Sequence, residues 1–316
     1  MNGRVSPGLL LTVVAMSESL STLADLVTRP DFVAGLVAGL VGLGVLFGAT
    51  REQRDIRWWG GVFALAALVA INTVLERRLG VSSGLFVLGT GGWLVGPGSD
   101  RRARPLGWAL IAGGAAIVGW RGGLADIDWL PWLAPVAIVI AGLALSAWSL
   151  RLPHNLLGPM IAISVFGIWV TVPETEHARV LLGVAVPMAF ATLRPTHAQI
   201  STAGAFALAG MVVWVAAIGG DARPGSIIGA WASLGLVAIL PLVQPNVSKL
   251  VKEHRWWVIG SHAVFVVIAS RLIGLWESAT TASIAVVLVS AAAYVWIRSY
   301  SRRHQPVAQD DPHGPR

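Results

Sequence analysis

The sequence contains no cysteine, which excludes disulfide bonds, thiolate metal sites, iron–sulfur clusters and a cysteine nucleophile. Charged side chains are also scarce: they make up 12% of the residues, against about 25% in soluble globular proteins. Because 55% of the 316 residues are hydrophobic, so few charges cannot cover the surface of a water-soluble fold. The composition therefore predicts an integral membrane protein.

Apolar runs follow one another along the chain with short polar breaks between them. The runs have about 16 to 22 residues, so several are short for a bilayer core that a helix of about 20 residues crosses. We predict an all-α, polytopic membrane helical bundle of about 11 or 12 transmembrane helices, with repeated helical hairpins as one way of building it. The candidate spans are Phe32–Gly48, Trp58–Leu75, Val81–Gly96, Pro105–Trp120, Leu130–Leu150, Asn155–Val172, Ala178–Leu193, Ala198–Gly219, Ser226–Val243, Trp256–Leu275 and Ala282–Ile297.

The N-terminal segment, residues 1–31, has two interpretations. Apolar residues over Leu9–Val27 recur at three-and-four spacing, and a polar stripe containing Glu18, Thr22 and Asp25 lies opposite them. The segment is then an amphipathic helix that lies in the membrane interface, or a first transmembrane helix. If it spans, we expect its polar stripe to face the protein interior or a water-filled cavity, because lipid cannot hydrogen-bond it.

Basic residues recur in every second connection between the apolar runs, beginning with Arg51, Arg54 and Arg57. The positive-inside rule places these connections and the C-terminus in the cytoplasm. We predict a cytoplasmic N-terminus as well if the first helix spans, and an N-terminus outside if that helix lies in the interface. The expected location is the inner (plasma) membrane of a bacterium. The net charge of +7 is thus explained by topology, and no nucleic-acid partner is expected. We predict one membrane domain over residues 1–300 and a disordered cytoplasmic tail over residues 301–316.

Ionisable side chains in or beside the apolar runs are the candidates for an ion or substrate path, because such groups are costly to bury in a membrane. The densest group lies between two spans and combines two carboxylates, an imidazole and a guanidinium. Each candidate also has a structural interpretation, as a helix-start carboxylate, a snorkelling arginine or a histidine bonded to a carbonyl. The candidates are Glu18, Asp25, Glu174, Glu176, His177, His262 and Arg271.

Motifs of metal and cofactor binding are missing. The glycine-rich Gly89-Thr90-Gly91-Gly92 lacks the lysine and serine of a phosphate-binding loop, and HExxH is absent. We predict no catalytic residue, metal or cofactor. Glycines at four-residue spacing, such as Gly35 with Gly39 and Gly44 with Gly48, are expected to let neighbouring helices approach closely.

The pattern favours transport of a small molecule or ion, because short spans interrupted by glycine and proline suit a path through a bundle. The expected partners are the lipid bilayer, that substrate, and membrane or cytoplasmic subunits. A non-catalytic membrane scaffold or subunit of a cell-envelope assembly complex is the alternative. A membrane enzyme on a lipid-linked substrate is the third, and only the stretch from Glu174 to Arg179 offers it chemistry.

Overall fold

A computed structural model of the chain describes residues 24–49, 59–75, 79–124, 128–151, 157–171, 175–192 and 200–218, with the single residues Ile227, Trp231, Ala263 and Val266. Within these ranges all regular structure is helical. Residues 24–28 form a short helical segment. Eight longer helices follow: α1 Pro30–Ala49, α2 Trp59–Val74, α3 Leu79–Val95, α4 Arg104–Arg121, α5 Leu130–Arg151, α6 Leu157–Thr171, α7 Glu176–Thr192 and α8 Thr202–Ile218.

The eight helices coincide with the first eight predicted spans, with ends that differ by a few residues. They contain between 15 and 22 residues, which corresponds to lengths of about 22–33 Å. Apolar runs and prolines set their limits: Pro30 begins α1, and a proline lies in the first turn of α4. Proline suits this position because the first turn has no backbone hydrogen bond to lose.

Each helix runs in the opposite direction to the next. In the α3–α4 pair, a Cβ on Gly84 would lie 3.0 Å from the carbonyl oxygen of Gly114, and one on Gly91 would lie 2.7 Å from that of Gly107. The bundle therefore has two ends. The Asp31 end contains the first residues of α1, α3, α5 and α7 and the last residues of α2, α4, α6 and α8. The Arg104 end contains the opposite termini.

Helix α8 forms the centre of the described bundle. It packs against α2, α3 and α5, and residues 204–217 are buried apart from the half-buried Ala207. Buried polar side chains are rare in the described part of the chain and comprise Asp31, Ser164 and Thr192. The interior around α8 is consequently apolar.

The outer surface of the bundle is apolar as well. Large hydrophobic side chains are exposed along the middle of several helices, among them Val37, Val41, Val69, Phe86 and Ile140. Among the described residues, two helices, over Pro30–Gly48 and Leu130–Ala147, are long and apolar enough to cross a membrane, and four further apolar helices are shorter.

Several predictions fall on residues outside the described ranges. They concern the last three candidate spans, most of the N-terminal helix, the location of both termini and the tail at residues 301–316. The prediction for glycine spacing is half confirmed. Gly35 and Gly39 contact α7 closely, whereas a Cβ on Gly44 or Gly48 would have no atom within 4 Å, so this second pair makes no close helix contact among the described residues.

Candidate functional site

An ion pair joins the first turns of α1 and α7 at the Asp31 end. The Nε–H of Arg179 donates to Oδ2 of Asp31 at 2.5 Å. The side chains of Asp31 and Arg179 are only 6% and 12% exposed. The second carboxylate oxygen accepts the backbone N–H of Phe32 at 2.9 Å. Both oxygens of the buried carboxylate are thus engaged, as a buried charge requires.

Close packing of the α1 and α7 backbones places Asp31 and Arg179 side by side at the same end of the bundle. Helices α1 and α7 run parallel, and a Cβ on Gly35 would overlap the carbonyl of Val180, while one on Gly183 would overlap that of Phe32. Only glycine permits this approach. Because the two backbones touch near their first turns, Asp31 and Arg179 meet although 148 residues separate them in the sequence.

The electrostatic surroundings of this ion pair favour a negatively charged side chain at position 31. The N-terminal ends of α1 and α7 lie side by side, so two positive helix-dipole ends converge on one place. Arg179 adds a third positive charge, which is unfavourable near a helix N-terminus unless an anion balances it. Asp31 supplies that anion to both helices and to the guanidinium, so its removal would leave the positive groups uncompensated.

His177 connects α7 to the central helix. Its imidazole lies edge-on against the indole of Trp214, with ring centroids 5.4 Å apart and an interplanar angle of 89°. Trp214 is fully buried near the end of α8. Its Nε1–H donates to the carbonyl of Gly122, just past the end of α4, at 2.8 Å. The Trp214 ring therefore has a fixed position against which His177 packs.

Three of the predicted candidates are described, and their surroundings differ. Glu176 is exposed in the first turn of α7, where a carboxylate favours the positive dipole end. His177 is half-buried against Trp214. Asp25 is exposed and does not turn into the described bundle. The candidates outside the described residues are Glu18, Glu174, His262 and Arg271.

The residues that make the buried charge contact were not selected as candidates from the sequence. The sequence places Asp31 in a connection between spans, and Arg179 at the end of the polar stretch that begins at Glu174. A local signal exists for Asp31, since it follows Pro30 and opens a long apolar run. Its partner could not be inferred, because no sequence pattern links positions so far apart.

The groups that this site offers are charged side chains and one imidazole that packs against an indole. In the described part of the chain, no three His, Asp or Glu side chains are grouped so that they could hold a metal ion. The arrangement offers a buried guanidinium–carboxylate pair, an exposed carboxylate and an imidazole, all at the Asp31 end. No protein-family model and no curated protein matches this sequence.

Proposed function

We propose that this protein is a multi-pass protein of the bacterial inner membrane and that it transports a small molecule or ion. The observation that carries the membrane assignment is the apolar outer surface. Val41 in the middle of α1 is 61% exposed and Ile140 in the middle of α5 is 56% exposed. Such large apolar faces are rare on soluble monomers but are required where lipid surrounds the helices.

Exposed tryptophans at both ends of the helices support the same assignment. Trp93 and Trp108 are exposed at the Arg104 end, and Trp120 and Trp132 are exposed at the Asp31 end. Tryptophan is enriched at the two membrane–water interfaces, where its ring meets the headgroups. Trp108 and Trp120 lie 12 residues apart on α4, a rise of about 18 Å, so the two groups bracket an apolar zone.

The distribution of arginines predicts the orientation of the protein in the proposed membrane. Arg101, Arg102 and Arg104 lie together at the Arg104 end, and the connections on that side carry further arginines, such as Arg51 and Arg54. The positive-inside rule assigns this end to the cytoplasm. The Asp31 end, with its ion pair and Glu176, then faces the outer compartment.

Transport is favoured by the charge pair and by the prolines. A buried ion pair in a membrane-embedded bundle is expensive, and such groups commonly mark an ion or substrate pathway. Helix α7 carries Arg179, His177 and Pro187, and α5 carries Pro135. An internal proline removes a backbone hydrogen bond and breaks helix regularity, as transporter helices do beside their substrates.

Flux through proteoliposomes tests transport. Purified protein is reconstituted, and currents or internal pH changes are recorded for panels of inorganic ions, amino acids and sugars. We expect a response to at least one panel member, and a smaller response in Arg179→Gln, because buried ionisable groups in membrane bundles commonly mark the pathway. Arg102→Gln, which makes the same change at an exposed arginine, is the matched control and should behave as the wild type. Equal signals from empty liposomes and proteoliposomes for every solute would overturn transport.

A non-catalytic membrane scaffold or envelope-assembly subunit is the second candidate function. The observation that favours it is the apolar, tightly packed interior around α8, which offers no polar route along that helix among the described residues. Photo-crosslinking in native membranes tests it, with a photoreactive residue introduced at Val41. A discrete heterologous adduct at this exposed position would support a scaffold, whereas labelling of lipid alone would oppose it.

A further inference from the structure

Three arginines lie in or beside the turn that joins α3 to α4, at the Arg104 end. Arg101, Arg102 and Arg104 are exposed, and none of them forms an ion pair within the described part of the chain. Asp100 is the one carboxylate in this turn, so positive charge is in excess there. Neighbouring charges of one sign repel each other, and an anion that binds between them relieves the repulsion.

The turn that carries these arginines has a defined shape. The hydroxyl of Ser99 donates to the carbonyl of Gly96 at 2.8 Å, and the backbone N–H of Arg102 donates to Oδ1 of Asp100 at 3.0 Å. Gly98 has a φ of 89°, a conformation that favours glycine because a side chain is rarely accommodated there. The turn is therefore ordered before any ligand arrives, so binding costs little backbone entropy.

Close packing of α3 against α4 fixes the position of this turn. The two helices form the most extensively packed pair among the described helices. A Cβ on Gly107 of α4 would lie 2.7 Å from Cγ2 of Val95, the last residue of α3. The ends of both helices are thus held together next to the arginines.

Arg101, Arg104 and Trp108 fall on one side of the chain. The backbone is already helical at Ala103, with φ −83° and ψ −16°, and the N–H of Ala103 donates to the carbonyl of Asp100 at 3.0 Å. Residues three and four positions apart on a helical surface are neighbours. The spacing of 101, 104 and 108 therefore places two guanidinium groups and one indole in a line, which we call the arginine–tryptophan row.

The polarity of this row changes along α4. Side chains of a helix tilt toward its N-terminus, so Arg104 extends outward from the end of the bundle. Trp108 lies one turn further along, a rise of about 6 Å. It is 41% exposed, and its ring packs edge-on against Phe206 with the centroids 6.2 Å apart. Charge therefore lies outermost and an exposed aromatic ring next, which is the order of the phosphate and the glycerol region in a phospholipid.

Two further large apolar side chains are exposed at this end. Trp93, near the end of α3, is 65% exposed, and Leu106, in the first turn of α4, is 58% exposed. A free inorganic anion gains nothing from apolar neighbours, whereas their contact with lipid removes apolar surface from water. Positive charge together with exposed apolar side chains therefore favours a lipid over a soluble anion.

The opposite end of the bundle has no such excess of positive charge among its described residues. Arg29 and Arg121 are exposed there, but so are Asp25, Asp128 and Glu176. Carboxylates repel an anionic headgroup. The difference between the two ends agrees with the proposed orientation, because the cytoplasmic surface of a membrane is the one made negative by anionic lipids.

We propose that Arg101 and Arg104 bind the phosphate of an anionic phospholipid in the cytoplasmic leaflet. Trp108 then contacts the glycerol and upper acyl region of the same lipid. A guanidinium suits this role, because its planar N–H groups donate two parallel hydrogen bonds to phosphate oxygens. The site rests on the proposed membrane location, whereas transport is not needed for it.

Lipid binding by the purified full-length protein tests the site. Native mass spectrometry in detergent micelles compares phosphatidylglycerol with phosphatidylcholine of the same acyl chains, which differ in headgroup charge. An arginine near an anionic lipid surface raises affinity about fivefold, so we expect phosphatidylglycerol to bind at least about fivefold more tightly. An increase from about 0.1 M to about 1 M NaCl should remove most of this preference, since salt screens the attraction. Equal affinities for the two lipids at low salt would overturn the proposal.

Single substitutions locate the binding residues. Arg101→Gln and Arg104→Gln should each lower the affinity for phosphatidylglycerol about fivefold. Arg102→Gln removes the same charge from the same turn, but position 102 lies about 100° around the chain from position 101. We expect this control to change the affinity less than about twofold, because solvent and salt screen a charge that does not contact the phosphate. All three positions are exposed, where substitutions rarely unfold a protein. Equal losses in the three variants would indicate diffuse attraction and overturn the site.

The source of the phosphate and the membrane location are tested separately. Sodium phosphate should displace phosphatidylglycerol no more than NaCl of the same ionic strength does, and a specific displacement by phosphate would overturn the assignment to lipid. Failure to bind either lipid would contradict the proposed membrane location. Equal binding of both would leave that location intact and remove only this site.

Discussion

Helices α1 and α8 are built from the same kinds of residue but occupy opposite places in the bundle. The helices contain 20 and 17 residues, and beyond Asp31 in α1 and Thr202 in α8 each is an uninterrupted run of glycine, alanine and large apolar side chains. Helix α8 is buried on all sides, whereas α1 exposes Val33, Val37, Val41 and Val45. Apolarity alone therefore does not decide which helix becomes the centre of this fold.

The position of α1 depends on a few specific contacts. In a bilayer, lipid tails are as apolar as leucine, so burial of apolar surface does not drive helices together. Close packing at glycine and satisfied polar groups take over that role. Helix α1 has both, in Gly35 against α7 and in Asp31 with Arg179. The four predictions below test this comparison, from the largest expected effect to the smallest.

The largest effect is expected from breaking the ion pair. Asp31→Asn leaves the Arg179 guanidinium buried beside two positive helix ends, and loss of one partner of a buried pair costs about 3–5 kcal/mol. Thermal unfolding in detergent micelles measures the loss. The double variant Asp31→Asn with Arg179→Gln should regain much of the stability, since no unpaired charge remains. A single variant as stable as wild type would show that the pair does not hold α1.

The second prediction concerns the outer face of α1. Val41→Arg places a charge near the middle of the helix, and this costs about 2.5–3.5 kcal/mol at the centre of a membrane. At an exposed site of a water-soluble fold the same change costs less than about 0.5 kcal/mol. A glycosylation reporter of membrane insertion measures the difference, with Val41→Leu as the control. Full insertion of Val41→Arg would contradict the assignment of this face to lipid.

The third prediction compares two glycines of α1. A Cβ at Gly35 collides with the backbone of Val180, whereas a Cβ at Gly44 meets no atom within 4 Å. We expect Gly35→Val to destabilise the protein by about 1–3 kcal/mol through overpacking, and Gly44→Val to change stability by less than about 0.5 kcal/mol. Unfolding midpoints of the two variants in the same detergent give the comparison. Equal midpoints would mean that α1 does not need close approach to α7.

Much of the helical organisation was predictable from the sequence, because apolar runs bounded by polar residues set helix limits. The first eight predicted spans correspond to α1–α8 within a few residues at each end. Alternating direction follows from short connections, so Glu176 and His177 could be assigned to one end. What could not be predicted is the packing partner of each helix, because α1 and α8 carry the same apolar signal.

The candidate site shows the same limit. His177 was selected because an imidazole at a helix start can carry chemistry, but its contact with Trp214 depends on how α7 lies beside α8. The pairing of Asp31 with Arg179 depends on the parallel alignment of α1 and α7, which the glycines allow. Local residue types indicated the end of the bundle, and tertiary packing selected the partners.

The smallest effect is expected from truncating one valine to alanine on α8 and one on α1. Val213 on α8 is 1% exposed, and Val41 on α1 is 61% exposed. Both side chains are apolar, so in lipid the transfer of either one between protein and bilayer changes little. The difference lies in packing, since truncation of Val213 leaves a cavity that its neighbours fill only in part, whereas under the proposed membrane location lipid chains would fill the space beside Val41.

We therefore expect Val213→Ala to cost about 1–2 kcal/mol and Val41→Ala to cost less than about 0.5 kcal/mol. Chemical denaturation in mixed micelles measures both, and Ala substitution raises helix propensity equally at the two positions, so the contrast isolates the cavity. If the two variants lose the same stability, α8 is no better packed than α1. The difference between α1 and α8 would then arise from charge and glycine contacts alone.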